Sequence, residues 1–156
     1  MDRDLARLPH RIETDRYGHI LMSPPPAPIH GNRQLLIGRL LQELLPEGHA
    51  LTECPVSTSD GIKAVDVAWV GSHRARELTE AICLIEAPEI CTEVLSPANS
   101  PAEMREKIAL YFEAGAGEVW ICDLNGRMSF HAPSGLLERS GLCPDFPSTI
   151  PTPKNG

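Results

Sequence analysis

Three charged side chains stand where packing gives them no reason to be. Asp66 lies within the apolar run IKAVDVAWV (residues 62–70), Glu93 within ICTEVL (residues 90–95), and Lys107 on the amphipathic segment that follows. An unpaired carboxylate in a covered strand costs several kcal/mol or takes up a proton. Two carboxylates converging on one point repel each other unless a cation neutralises them, and oxygen donors of this kind favour Mg²⁺ or Mn²⁺. A metal held by two carboxylates beside a lysine is suited to phosphodiester hydrolysis. The metal polarises the phosphate and lowers the pKa of the attacking water; the lysine stabilises developing charge or orients the nucleophile. A buried ion pair, or a lysine whose stem crosses apolar surface to reach water, accounts for the same charges without chemistry.

The elements that must position these groups are readable. Residues 90–95 are short, β-branched and ended by Ser96-Pro97, which suits a strand covered on both faces. Ser100, Pro101 and Glu103 then form an S-x-x-E helix start with proline at the first helical position. Met104, Ile108, Tyr111, Phe112 and Gly115 share one stripe of that helix, with Lys107 at its margin. In the run 62–70, alternation predicts Asp66 on one face with Ala64 and Ala68, and Val65, Val67 and Trp69 on the other.

Around this unit, residues 11–15 and 19–23 read as a hairpin about Tyr17-Gly18, and residues 118–122 and 128–131 as a second about Asn125-Gly126. A proline link, SPPPAP, precedes a helix over 30–45 whose inner stripe is Leu36, Leu40, Leu41, Leu44 and Leu45. Residues 50–58 form a strand that Pro55 places at an edge or bulge, and residues 74–81 a short helix. Hairpins together with one strand–helix–strand unit predict an α/β (α+β) fold, a mixed sheet flanked by helices with an N-terminal β-hairpin.

At 156 residues and 42% apolar composition the chain can bury a real core. We expect an arm at 1–10, one domain at 11–147 whose end from Pro133, rich in proline and glycine, is irregular, and a flexible tail at 148–156. No apolar run reaches the roughly 20 residues of a membrane span, and no signal peptide opens the sequence. Five cysteines without C-x-x-C spacing suit buried, reduced thiols in a cytoplasmic protein and argue against zinc. The net charge of −7 is uneven: residues 1–39 hold six arginines against four acids, the remainder eight basic against seventeen acidic residues. Arg3, Arg7, Arg11 and Arg16 either touch phosphates or are simply solvated.

Taken in order, the early hairpin with Gly18 before SPPP, His30 heading a helix, VDVAWV, APEICTEVLSPAN and EMREKIALYFEAGAGEVWICD resemble the Uma family of restriction endonucleases, within the PD-(D/E)xK nuclease superfamily. The resemblance runs from about Arg11 to Phe146. It implies a restriction-endonuclease-like core, Mg²⁺-dependent (or Mn²⁺-dependent) cleavage of DNA and, by analogy, a homodimer. It makes Asp66 and Glu93 the metal carboxylates and adds the main-chain carbonyl of Val94 as a further ligand. Val65 replaces the usual proline before the aspartate. Leu95 occupies the usual lysine position, so Lys107 from the next helix is the expected substitute.

Four further residues are candidates: Glu53 on a strand beside Asp66, His30 as a phosphate contact or acid–base group, Glu13 in the hairpin, and Tyr111 one turn after Lys107. For Glu13 a surface role competes, for His30 a helix-start role, for Tyr111 packing. Two other readings stay open. One is a non-catalytic descendant serving as a binding or assembly module; the other is a hydrolase of RNA or another phosphoester.

Overall fold

A computed structural model describes residues 11–23 and 26–156. The arm at 1–10 and Pro24-Pro25 of the proline link lie outside these residues. Strands β1 (Arg11–Thr14) and β2 (Ile20–Ser23) form the expected hairpin. Helix α1 (Pro28–Leu44) follows, then β3 (Gly48–Thr58) and β4 (Gly61–Gly71). A single 3₁₀ turn and α2 (Ala75–Glu80) lead to β5 (Ile90–Val94), α3 (Pro101–Glu113), β6 (Glu118–Cys122), β7 (Met128–Ala132) and β8 (Gly135–Leu137).

The six later strands make one mixed sheet in the order β3-β4-β5-β6-β7-β8. β3 is an edge, as Pro55 requires, and β5 and β6 run parallel because α3 carries the chain back between them. α3 begins as its sequence dictates, the Ser100 hydroxyl accepting from the Glu103 amide at 3.1 Å. Among the described residues no helix is long and apolar enough to cross a membrane.

The sheet has a core on each face. Ile37 and Leu41 of α1 pack with Val67, Trp69, Ile90, Val94 and Trp120. Tyr111 of α3 packs with Cys54, Val65, Ala68, Val70, Cys91 and Val119. The leucine stripe expected for α1 needs correction: Ile37 and Leu41 are fully buried, whereas Leu36, Leu40, Leu44 and Leu45 only flank them.

The alternation expected for β4 also fails, and instructively. Val65 packs with the α3-side core while Val67, two residues on, packs with the α1-side core. The partner strand makes the same change, since Ala50 packs on one side and Cys54 on the other. Between them Glu53 has φ 52°, the left-handed region, and no other described non-glycine residue has positive φ. The pairs Thr52–Val67 and Cys54–Val65 bracket Glu53 and Asp66. A left-handed residue reverses the pleat, so both strands exchange faces at this level. Such a conformation costs on the order of 1–3 kcal/mol and marks the place for attention.

Beyond β7 the chain stays packed. The Glu118 carboxylate, buried at the start of β6, accepts from Trp120 Nε1 (2.7 Å), the Ser140 hydroxyl (2.6 Å) and the amides of Gly141 (2.7 Å) and Leu142 (2.9 Å). Phe146 enters the aromatic cluster of Trp120 and Phe130, and Ile150 is fully buried, its amide donating to the Gly126 carbonyl at 2.7 Å. Packing thus continues past residue 147, and the short strand β8 replaces part of the irregular stretch expected from Pro133.

The hairpin docks on the β3–β4 turn. Gly61, at φ 86°, admits it because a Cβ there would stand 2.4 Å from the Thr14 carbonyl oxygen. Arg16 Nε binds Asp60 at 3.1 Å, Lys63 Nζ donates to the Thr14 carbonyl at 2.9 Å, and the Ile62 amide to the Thr14 hydroxyl at 2.8 Å. Arg16 therefore has a structural partner in Asp60. Its hydrogen bond holds the Asp60 carboxyl below its ordinary value of 3.8. An acid with a lowered folded pKa stabilises fully above its unfolded value and loses that contribution as pH falls through the folded one. Hydrogen exchange at the Ile62 amide should therefore speed up below pH 3.8 relative to the core strands. Asp60→Asn should weaken this protection already at neutral pH and flatten its acid dependence.

All five cysteines are free thiols, and Cys54, Cys91, Cys122 and Cys143 are buried. Burial pushes Cys54 up to about 12 and Cys122 to about 11. Thiolates are the reactive form, so these groups are inert in the fold. A thiol-reactive dye should titrate Cys83 alone in the native protein and all five cysteines after denaturation.

Candidate active site

The β4–β5 ladder pairs Trp69–Ile90, Ala68–Cys91 and Val67–Thr92, then stops. The next step in that register is Asp66 and Glu93, so the two residues stand opposite one another where the strands cease to bond. The Asp66 side chain takes over the missing ladder contact, its Oδ2 accepting from the Val94 amide at 2.7 Å. A strand residue directs its amide and carbonyl to the same side. The Val94 amide points to Asp66, and in regular strand geometry its carbonyl shares that side. Both acids are buried, Asp66 completely and Glu93 to 2% exposure.

Each acid is held by a different helix. His30, in the first turn of α1, places Nε2 3.3 Å from Asp66 Oδ2. Tyr111, one turn beyond Lys107 on α3, donates its hydroxyl to Glu93 Oε1 at 2.6 Å. Burial pushes the Tyr111 phenol well above 10, and the neighbouring Glu93 charge adds to this. Tyr111 therefore keeps its proton and acts as a fixed donor. Lys107 Nζ lies 3.8 Å from Glu93 Oε2 and 3.4 Å from each Glu13 oxygen.

Glu13 is thus no mere surface residue. Its carboxylate also accepts from the Ala64 amide at 2.8 Å, which ties the hairpin to the strand carrying Asp66. Glu53 remains solvent-exposed, across the strand from Asp66. Gln34 of α1 joins the two, donating to Glu53 Oε1 at 2.8 Å and to the Asp66 carbonyl at 3.0 Å. Gln34 was not singled out from the sequence. Its spacing of four from His30, which puts both on one helical face, is the signal that would have found it.

Whether a divalent cation suits this place can be judged from the donors. Among the described residues no three His, Cys, Asp or Glu side chains already form a metal cage. What is present is Asp66, Glu93 and the Val94 carbonyl, all hard oxygen donors, with Glu13 behind Lys107. Three acids against one lysine and one histidine leave the locality short of positive charge. That set fits a hard cation with open positions.

The fold and this arrangement together define the restriction-endonuclease-like class of α/β domain. The chain belongs to the Uma2 family, described as "Putative restriction endonuclease", whose model matches residues 3–140. A crystal structure described as a "putative nuclease belonging to DUF820", from Anabaena variabilis, superposes with a TM-score of 0.68 at 19% identity, covering 83% of this chain and 77% of that one. This likeness establishes the fold. No curated protein is detectably similar in sequence.

Proposed function

We propose that the chain is a divalent-metal-dependent endonuclease that hydrolyses DNA phosphodiester bonds. The observation that carries this reading is the pair Asp66 and Glu93 at the end of the β4–β5 ladder, with Lys107 reaching Glu93 from α3. Asp66, Glu93 and the Val94 carbonyl would hold Mg²⁺ or Mn²⁺, which when bound supplies Lewis-acid polarisation of the phosphate and a more acidic water. Lys107, 3.8 Å from Glu93, would stabilise charge developing on the phosphate or orient the nucleophile. Tyr111 holds Glu93 by one oxygen, which restricts its rotation. Glu13 holds Lys107 on the other side, so the ammonium is positioned before substrate arrives. The absence of lysine at position 95 is then no defect, because α3 brings one to the same carboxylate.

Cutting both strands of a duplex needs two such sites, and a homodimer is the simplest way to supply them. The test is cleavage of supercoiled plasmid with Mg²⁺ or Mn²⁺ and with neither, for the wild type and Lys107→Met. Metal-dependent cleavage lost in the variant supports the reading. Cleavage equal in the two proteins would remove Lys107 from it. Cleavage indifferent to metal chelation would remove the metal.

A further inference from the structure

Beside the acids lies a cleft of about 840 Å³ between the start of α1, the loop after β5 and the β6–β7 turn. Its wall includes Pro26, Ile29, Leu95, Pro97 and Leu124, and His30 stands at its boundary with Asp66. Arg33 also lines it, at 4% exposure. Its Nε has no hydrogen-bond partner, and Nη1 makes one long contact, 3.5 Å to the Asp123 carbonyl. Among the described residues no carboxylate forms an ion pair with it. A buried guanidinium without a counter-charge is costly, and folding alone offers no return for it.

The helix end beside it has the same sign. α1 starts at Ala27 and Pro28 with no side-chain cap and no acidic residue in its first turn. Its amides and dipole therefore present partial positive charge to the cleft, a favourable seat for an anion. α3 opens nearby, but Ser100 caps it and Glu103 borders the cleft on that side. The anion seat is accordingly at the α1 end, by Arg33.

We infer that this cleft takes one nucleotide of an unpaired strand, its phosphate facing Arg33 and the start of α1, its base against the apolar wall. The apolar wall has no use for a bare inorganic anion, and a base stacked within a duplex has no free face to lay against it. The inference rests on the phosphodiester reading above for the kind of polymer. It makes the preferred substrate single-stranded or locally opened beside the cut.

The test is equilibrium binding without divalent metal, so no cleavage enters it. The probe is a fluorescein-labelled oligothymidylate of about 12 nucleotides, alone and annealed to its complement. The single strand should bind at least about tenfold more tightly than the duplex. Thymidine 5′-monophosphate should compete better than inorganic phosphate. Arg33→Met should lose about tenfold or more in affinity while its melting temperature holds or rises, because a buried lone charge has been removed. Equal binding of duplex, equal competition by inorganic phosphate, or unchanged binding by Arg33→Met would each overturn the inference. If Arg33→Met does not fold, Leu124→Asp, at an exposed position on the wall, serves instead. It should weaken single-strand binding severalfold, and undiminished binding would likewise overturn the inference. Failure here leaves plasmid cleavage untouched as the separate test of the nuclease reading.

Discussion

Asp66→Asn should reduce metal-dependent plasmid cleavage by about 10³-fold or more while the protein stays folded. The carboxylate accepts from the Val94 amide at 2.7 Å, and an asparagine carbonyl can accept the same bond. What the amide cannot supply is the negative charge. A cation-holding group that contributes several kcal/mol to the transition state corresponds to about that rate factor. The melting temperature should change little, because the bond from the Val94 amide is kept. Cleavage surviving the substitution would mean the acids act structurally and the chemistry lies elsewhere. Loss of cleavage together with unfolding would instead assign Asp66 to the architecture of the strand junction.

Glu118→Ala should be the most damaging substitution outside the site, destabilising the domain by about 3–5 kcal/mol. Four donors converge on this carboxylate: an indole, a hydroxyl and two main-chain amides. Alanine strands all four in a region closed to water, each at about 1–3 kcal/mol before relaxation. For a domain of this size the loss corresponds to roughly 10 °C or more in melting temperature. Glu118→Gln should fall between, because its oxygen still serves one pair of donors while its NH₂ group opposes the others. A melting temperature unchanged by Glu118→Ala would show that residues 140–150 contribute nothing to cooperative folding.

Much of the fold could be read because local signals agree with tertiary demands. Ser100, Pro101 and Glu103 announce α3, Asn125-Gly126 announces the β6–β7 turn, and Pro55 puts β3 at the edge. Asp66, Glu93 and Lys107 were legible as candidates because a charge in an apolar pattern needs an explanation, and the fold brings Lys107 to 3.8 Å from Glu93. The exchange of faces at Glu53 and Asp66 was not, because one left-handed φ leaves no mark on composition. Glu118 opens an apolar strand, where an acid ordinarily reads as the exposed end. β8 has three residues, too few to show any period. Arg33 stands within the polar side of a leucine-rich helix and gives no hint that it is buried. Glu13 stayed a candidate with a competing surface role, because a short hairpin's sequence does not show that docking turns that residue inward.

That docking has a further consequence. Every candidate site residue but Glu13 belongs to the six-stranded sheet and its two long helices, whereas Glu13 arrives on a separate two-stranded hairpin seated over Gly61. A chain shortened to begin at Pro28 would keep each letter of the nuclease signature and still lose the Glu13 contact to Lys107. Under the proposed reading, the presentation of Lys107 therefore depends on how the hairpin is seated as well as on the signature.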